Sequence, residues 1–126
     1  MSRAPQPAEA ASFPRSPCPL ASTLDLVGDK WTLLVVRDLC FGKRLFREFA
    51  ESAEGIPSNI LAERLKRLER AGLIEKRPYQ TSPVRYEYRL TAKGRDLLPA
   101  LRALAEWGNK HIPGTWPLPG VDGGRG

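Results

Sequence analysis

Ser58, Asn59, Glu63, Arg64, Lys66 and Arg67 crowd one short segment, and their chemistry suits a surface that grips a polyanion. The Asn59 amide both donates and accepts, which matches the pair of groups adenine shows in the major groove. Arg64 and Arg67 can form bidentate contacts with guanine or clamp phosphates, and Arg64 can equally ion-pair within the fold. Ser58 can cap a helix or make a weaker base or phosphate contact. A second polar group, Gln80, Thr81, Ser82 and Arg85, follows further along the chain. A third, Lys43, Arg44 and Arg47 together with Lys30, is suited to backbone contacts, which fix register rather than sequence choice.

The net charge of +6 is localised. Residues 57–95 hold ten Arg and Lys against only Glu63, Glu69, Glu75 and Glu87, and the rest of the chain balances at ten positive and ten negative residues. The whole excess therefore falls in one contiguous third of the sequence. A polyanion-binding face would produce this, although charge alone also fits an ordinary solvated surface.

Other chemistries find less support. With His111 as the single histidine and Cys18 and Cys40 as the only cysteines, neither a zinc site nor a disulfide framework is expected. No Ser-His-Asp or Cys-His set and no glycine-rich phosphate loop is visible, so no catalysis and no cofactor are expected. No apolar run approaches the roughly 18 residues of a membrane span. Nor does Met1 to Pro7 resemble a secretory signal, so the expected compartment is the cytoplasm, at the nucleoid.

The elements that must position these residues follow from periodicity. At 126 residues the chain fits one domain. Residues 1–17, rich in Pro, Ala and Ser, read as a disordered arm, 18–112 as the folded domain and 113–126 as a flexible tail. A first helix spans about Leu20 to Val27. Gly28 ends it, and Asp29 is the expected N-cap of a second helix, Lys30 to about Leu39, apolar almost all round and hence central. A short third helix, about Leu45 to Ser52, is expected to turn Leu45, Phe46 and Phe49 inward. Gly55 and Pro57 mark a turn. Ser58 then caps a fourth helix reaching Arg70 or Ala71, with Leu61, Leu65 and Leu68 buried and Gly72 as its terminator. The period changes to two at Val84, Tyr86, Tyr88 and Leu90, a half-buried strand, with Leu73 to Arg77 as partner and Pro78 to Pro83 as loop. Thr91 caps a final long helix with a mild flaw at Gly94 and an apolar face of Leu97, Leu98, Leu101, Leu104 and Trp107. Trp31, Trp107 and the leucine-rich helices could line a ligand pocket, but core and dimer packing explains them more simply. Helix, turn, helix and basic hairpin in this order predict a mainly α winged helix-turn-helix, whose fourth helix enters the major groove. The rival expectation is the same fold used for protein contacts or small-ligand sensing without direct DNA readout.

The ordered pieces Cys18-Pro19-Leu20, Gly28-Asp29-Lys30-Trp31-Thr32-Leu33-Leu34, Arg44-Leu45-Phe46-Arg47-Glu48-Phe49 and Gly55-Ile56-Pro57-Ser58-Asn59-Ile60-Leu61 carry a further signal. With Arg64-Leu65, Leu68, Gly72-Leu73-Ile74, Tyr86 to Thr91, Gly94 and Leu97-Leu98, the chain resembles the HxlR-type family of bacterial winged helix-turn-helix regulators over roughly Cys18 to Gly108. The resemblance implies double-stranded DNA as partner, with a palindromic operator whose half-sites lie about one helical turn, ~34 Å, apart. It also implies a homodimer formed by the N-terminal and C-terminal helices, here through Leu20, Leu24, Leu97, Leu98, Leu101, Leu104 and Trp107. Repression is the commoner behaviour in the family. Some of its members sense oxidants or electrophiles through a cysteine near the N-terminus, and Cys18 matches that position. The amides of the helix that follows Cys18 and the nearby Arg15 would favour a thiolate there. Free cysteines are also often plain buried apolar residues, and Cys40 reads as core.

Overall fold

The computed structural model of the chain describes residues 14–117 and divides into two units, 1–30 and 31–126, each described by itself. The expected arm and tail fall outside the described residues except for 14–17 and 113–117.

In the first unit, Pro19–Val27 form α1. Pro19 stands in the first turn, where a missing N–H costs nothing and the fixed φ suits the helix. Cys18 is the N-cap, its carbonyl accepting from the Ser22 amide at 2.9 Å. Arg15 donates to Asp25 at 2.7 Å and to the Ala21 carbonyl at 3.2 Å. Its guanidinium is thus engaged along α1, which corrects the expectation that it would serve the Cys18 thiol.

The second unit opens with α2, Thr32–Cys40, which buries Thr32, Val35, Val36, Asp38 and Leu39. It starts two residues later than the sequence suggests, with Trp31 rather than Asp29 at the N-cap. The reason lies in the backbone: the Leu34 and Val35 amides both donate to the Trp31 carbonyl at 3.1 Å, making it the first acceptor of the helix. After Gly42 comes α3, Phe46–Ala50, shorter than expected. Leu45, its N-cap, has no side-chain oxygen to offer the first turn, and Glu48 at N3 makes the reciprocal half of a capping box by accepting from the Arg44 and Leu45 amides at 2.8 and 3.0 Å. So short a helix has one inward face, which Phe49 occupies, while Phe46 is left 37% exposed rather than buried.

Ser58–Arg70 form α4, with Leu61, Leu65 and Leu68 buried at i, i+4 and i+7. The N-cap is Pro57, in extended conformation, and not Ser58; the Leu61 amide reaches the Pro57 carbonyl at 2.9 Å and makes Ser58 the first helical residue. At the other end Gly72 takes φ +80°. Its amide returns to the Glu69 carbonyl and that of Leu73 to the Leu68 carbonyl, a paired closure that directs the chain into the sheet.

That sheet is an antiparallel hairpin of β1, Ile74–Thr81, and β2, Val84–Leu90, with Ile74 opposite Leu90 and Thr81 opposite Val84. The expected loop from Pro78 to Pro83 is mostly strand. A register shift between Pro78 and Gln80 absorbs Tyr79, and only Ser82 and Pro83 remain as the turn. The hairpin reaches beyond the core, so the expected half-buried alternation holds at its root, at Tyr88 and Leu90, whereas Tyr86 and Val84 are exposed. Along the free edge of β2, the Tyr88 amide donates to the Arg44 carbonyl at 2.8 Å and ties the wing to the loop before α3.

Thr91 is the cap the sequence suggests: its hydroxyl accepts from the Gly94 amide at 3.1 Å and donates to the Gly72 carbonyl at 2.6 Å. The final helix is not continuous. It consists of α5, Ala92–Arg95, and α6, Leu98–His111, joined by a turn at Asp96 and Leu97. Pro99, in the first turn of α6, explains the division, since it lacks an amide for the Arg95 carbonyl and crowds the preceding turn. Leu101 is 7% exposed and packs in the chain's own core, unlike the exposed position expected of an interface residue. The start of the expected tail is held as well, because the Thr115 hydroxyl donates to the Ile112 carbonyl at 3.0 Å and accepts from the Asn109 amide at 3.0 Å. Among the described residues, no helix is long and apolar enough to cross a membrane.

Candidate nucleic-acid interface

The leucines that α4 buries determine what it presents. Asn59, Glu63, Lys66 and Arg70 recur at i, i+4, i+7 and i+11, a stripe on the side of the helix opposite Leu61, Leu65 and Leu68. All four are exposed, as is Ser58 at the helix start. Arg70 belongs to this stripe although it was absent from the sequence-derived set; its spacing from Asn59 was the available signal. Arg64 and Arg67 are half-buried at the flank, and Arg64 is ion-paired with Glu63. That pair realises the intramolecular role that was open for Arg64 and partly neutralises Glu63. The face with readable chemistry therefore runs along Asn59, Lys66 and Arg70.

The wing carries the second group. Thr81 and Ser82 are exposed at its tip. Gln80 is committed internally, donating to the Pro83 carbonyl at 3.1 Å. On the strands, Arg89 pairs with Glu87 at 3.2 Å and Arg77 with Glu75 at 3.7 Å, while Lys76 lies 4.6 Å from the centre of the Tyr86 ring. Arg85, opposite Gln80, is exposed and has no acidic partner among the described residues. Arg44 and Arg47 are exposed on either side of the α3 N-terminus. Lys30 is exposed in the first unit and is not placed relative to this surface.

Under the turn between α3 and α4 lies a polar network that the sequence did not disclose. Arg37 donates to both Glu54 oxygens at 2.8 and 2.9 Å and to Asp38 at 2.8 Å. Buried Asp38 accepts from the Ser52 hydroxyl at 2.5 Å, and Lys43 donates to Ser52 at 2.6 Å. The network joins α2 to the turn and so fixes the angle at which α4 leaves it. The paired hydrogen bonds from Arg37 hold the Glu54 carboxyl down to about 2, against an ordinary 4.5. A depressed folded-state value means that this stabilisation is present above about pH 4.5 and is lost as pH falls toward 2. Urea midpoints should therefore decline over that window, and Glu54→Gln should lack that part of the decline; an unchanged profile in the variant would place the acid sensitivity elsewhere.

The remaining candidates separate by exposure. Cys18 is exposed at the N-cap of α1, and Cys40 is half-buried, its thiol pushed up by burial. Of the apolar set, Leu20 and Leu24 are exposed in the first unit. On α6, Leu104 is 58% and Trp107 61% exposed, with Ile112 exposed beyond them, while Leu97 and Leu98 are half-buried.

Comparison with known proteins agrees with this fold. The HxlR-like helix-turn-helix family matches residues 26–115. Rv3095, an uncharacterized HTH-type transcriptional regulator of Mycobacterium tuberculosis, is 46% identical over 90 residues, covering 71% of this chain and 56% of the relative. The chain thus spans little more than half the length of that relative. The redox regulator HypR in its oxidized form superimposes with a TM-score of 0.68 at 34% identity, covering 74% of this chain and 96% of HypR. The reduced form of the transcriptional regulator YodB from B. subtilis gives 0.66 at 30% identity, covering 80% of this chain and all of YodB.

Proposed function

The chain belongs to the HxlR-like helix-turn-helix family of winged-helix transcriptional regulators, and on that premise we propose that it binds double-stranded DNA as a homodimer on a palindromic operator and acts there as a repressor. The observation that carries this reading is the stripe of Asn59, Lys66 and Arg70 directly opposite the buried leucines of α4, with Arg85, which has no acidic partner among the described residues, on the adjoining wing. In this arrangement α4 lies in the major groove. Asn59 meets a base edge near the helix N-terminus, and Lys66 and Arg70 follow the groove toward phosphates. Arg85, with Thr81 and Ser82, reaches the next minor groove or its backbone. Arg44 and Arg47 add phosphate contacts that set register. The exposed apolar residues Leu104, Trp107 and Ile112, and Leu20 and Leu24, are the surfaces that a second copy would cover.

Binding to duplex fragments selected from genomic DNA should fall steeply with salt, each neutralised phosphate contributing about −0.9 to the log–log slope. Arg85→Ala should flatten the slope by about that amount and weaken every duplex alike. Salt-independent binding, or a slope untouched by the substitution, contradicts the docking.

Cys18 is the proposed signal input, supported by its exposure and by the likeness to HypR, a redox regulator. Diamide would take up two electrons and two protons as the Cys18 thiol and a small thiol join in a mixed disulfide. Diamide with glutathione should weaken operator binding at least severalfold in the wild type and leave Cys18→Ser unaffected. Equal responses in the two proteins rule the switch out.

A further inference from the structure

Behind the wing, on residues that α4 does not share, the second unit contains an open cleft of about 590 Å³. That size lies within the range of small-molecule sites, roughly 300–1,000 Å³. The end of α2, the loop before α3, the wing root and the α5–α6 junction enclose it. Its floor is apolar, with Leu39, Leu90 and Leu98, and its rim is cationic, with Arg44, Arg89 and Arg95. Glu75 is the single carboxylate in the lining, and it faces Arg77 at 3.7 Å.

The three guanidinium groups retain donors. Arg44 has no side-chain partner among the described residues. Arg95 is anchored by one hydrogen bond to the Leu90 carbonyl at 2.9 Å, and Arg89 by its ion pair with Glu87 at 3.2 Å, which offsets part of its charge and occupies one of its donors. Since each guanidinium carries five N–H groups, these anchors orient the forks and leave most of their donors available. Guanidinium groups lining one cleft favour a carboxylate or a phosphate. The apolar floor beneath them disfavours a bare inorganic ion, which would leave it wet, and calls for an acid that carries an apolar body.

We propose that this cleft is an effector site for a small organic carboxylate, its head held by Arg44, Arg89 and Arg95 and its apolar body against Leu39, Leu90 and Leu98. The site itself is independent of the proposed function; only its consequence for DNA rests on that reading. Arg44 cannot serve a bound carboxylate and a DNA phosphate together. An occupant that bridges Arg89 on β2 and Arg95 on α5 also fixes the wing against the last two helices. Carboxylate and operator therefore oppose each other, each lowering the affinity of the other by the same factor.

The test is calorimetric titration of the full chain, without DNA, using benzoate and octanoate, with benzyl alcohol and inorganic phosphate as controls. At least one carboxylate should bind saturably, one per chain, with no saturable binding of benzyl alcohol and weaker binding of phosphate. Arg95→Met should reduce carboxylate affinity at least tenfold. Ala92→Glu, which adds an acid on the exposed rim at a helix start that tolerates one, should do the same and carries the test if Arg95→Met does not fold. The proposal fails if neither carboxylate saturates, if phosphate binds as tightly, or if both variants bind like the wild type. It also fails if Arg95→Met lowers duplex affinity in the absence of carboxylate, since the cleft would then be part of the DNA surface. Titration without DNA separates failure of this site from failure of the DNA-binding reading.

Discussion

Gly94→Ala should destabilise the protein by about 2–3 kcal/mol, although alanine in place of glycine in an open helix normally gains about 1 kcal/mol. The sign reverses because Gly94 is buried and its backbone lies against the wing root. A methyl group there would overlap the Leu73 carbonyl oxygen and come within 2.9 Å of Leu90 Cδ2. Neither neighbour retreats easily. The Leu73 carbonyl accepts from the Thr91 amide at 3.0 Å, and Leu73 follows directly on the closure of α4. Relief requires α5 to lift from the hairpin, which would also break the Thr91 cap onto Gly72 and Gly94. Because Leu73 precedes β1 and Leu90 ends β2, the same displacement re-aims the wing. Urea unfolding should show the loss in the midpoint with little change in m, and duplex affinity should fall together with stability. A variant as stable as wild type would mean that the close approach is not a constraint.

Gly94 also shows where sequence reading succeeded and where it stopped. Its place in a helix was legible from the Thr91 cap and the leucines after it. The reason for glycine was not, because the clashing carbonyl belongs to residue 73, on an element that periodicity cannot bring alongside. The polar network under the α3–α4 turn was hidden for the same reason: Arg37 and Glu54 are 17 residues apart, and neither position is marked by pattern. By contrast, α4 was readable almost to the residue. Leu61, Leu65 and Leu68 define its buried line, Gly72 its end, and the exposed stripe follows by geometry alone. The wing was half legible. Its alternation identified β2, but Pro78 made β1 seem to end early. The strand instead carries the proline opposite Tyr86 beside a register shift, at the edge of a two-stranded sheet where a missing amide costs little. The break before α6 had a visible cause in Pro99, which the run of leucines outweighed.

These elements act as one device for aiming α4. Phe49 on α3 is buried and meets the Tyr88 ring on β2 edge-on, with centroids 6.2 Å apart. The Arg37–Glu54 pair holds the turn between α3 and α4 from the other side. Arg44 lies between them, its carbonyl bound to the wing strand and its amide to Glu48. The Arg44 and Leu45 amides keep the Glu48 carboxyl below its usual range, so this clamp stays ionised further into acid than an ordinary glutamate would. A base-reading side chain on α4 thus stands on a frame fixed to the wing, and the two should be separable by substitution only where their contacts with DNA differ in kind.

Asn59→Ala should expose that difference. Asn59 is exposed in the first turn of α4, and the capping position belongs to Pro57, so the amide is not spent on closing the helix. Its removal should leave folding within about 0.5 kcal/mol of wild type, as for other surface substitutions. On the operator, one bidentate amide–adenine contact is worth about 1–3 kcal/mol of discrimination, or roughly fivefold to 150-fold. The loss should be confined to duplexes that carry the preferred base pair. Affinity for unrelated duplexes, and the salt slope, should stay as they were, because no phosphate contact has been removed. Arg70→Ala on the same stripe should behave in the opposite manner, lowering affinity for all duplexes by a similar factor and flattening the slope by about 0.9. Competition binding against a library with each operator position randomised measures both effects together. If Asn59→Ala weakens every duplex equally, Asn59 is a backbone contact, and α4 sits in the groove in a different orientation from the one its buried leucines imply.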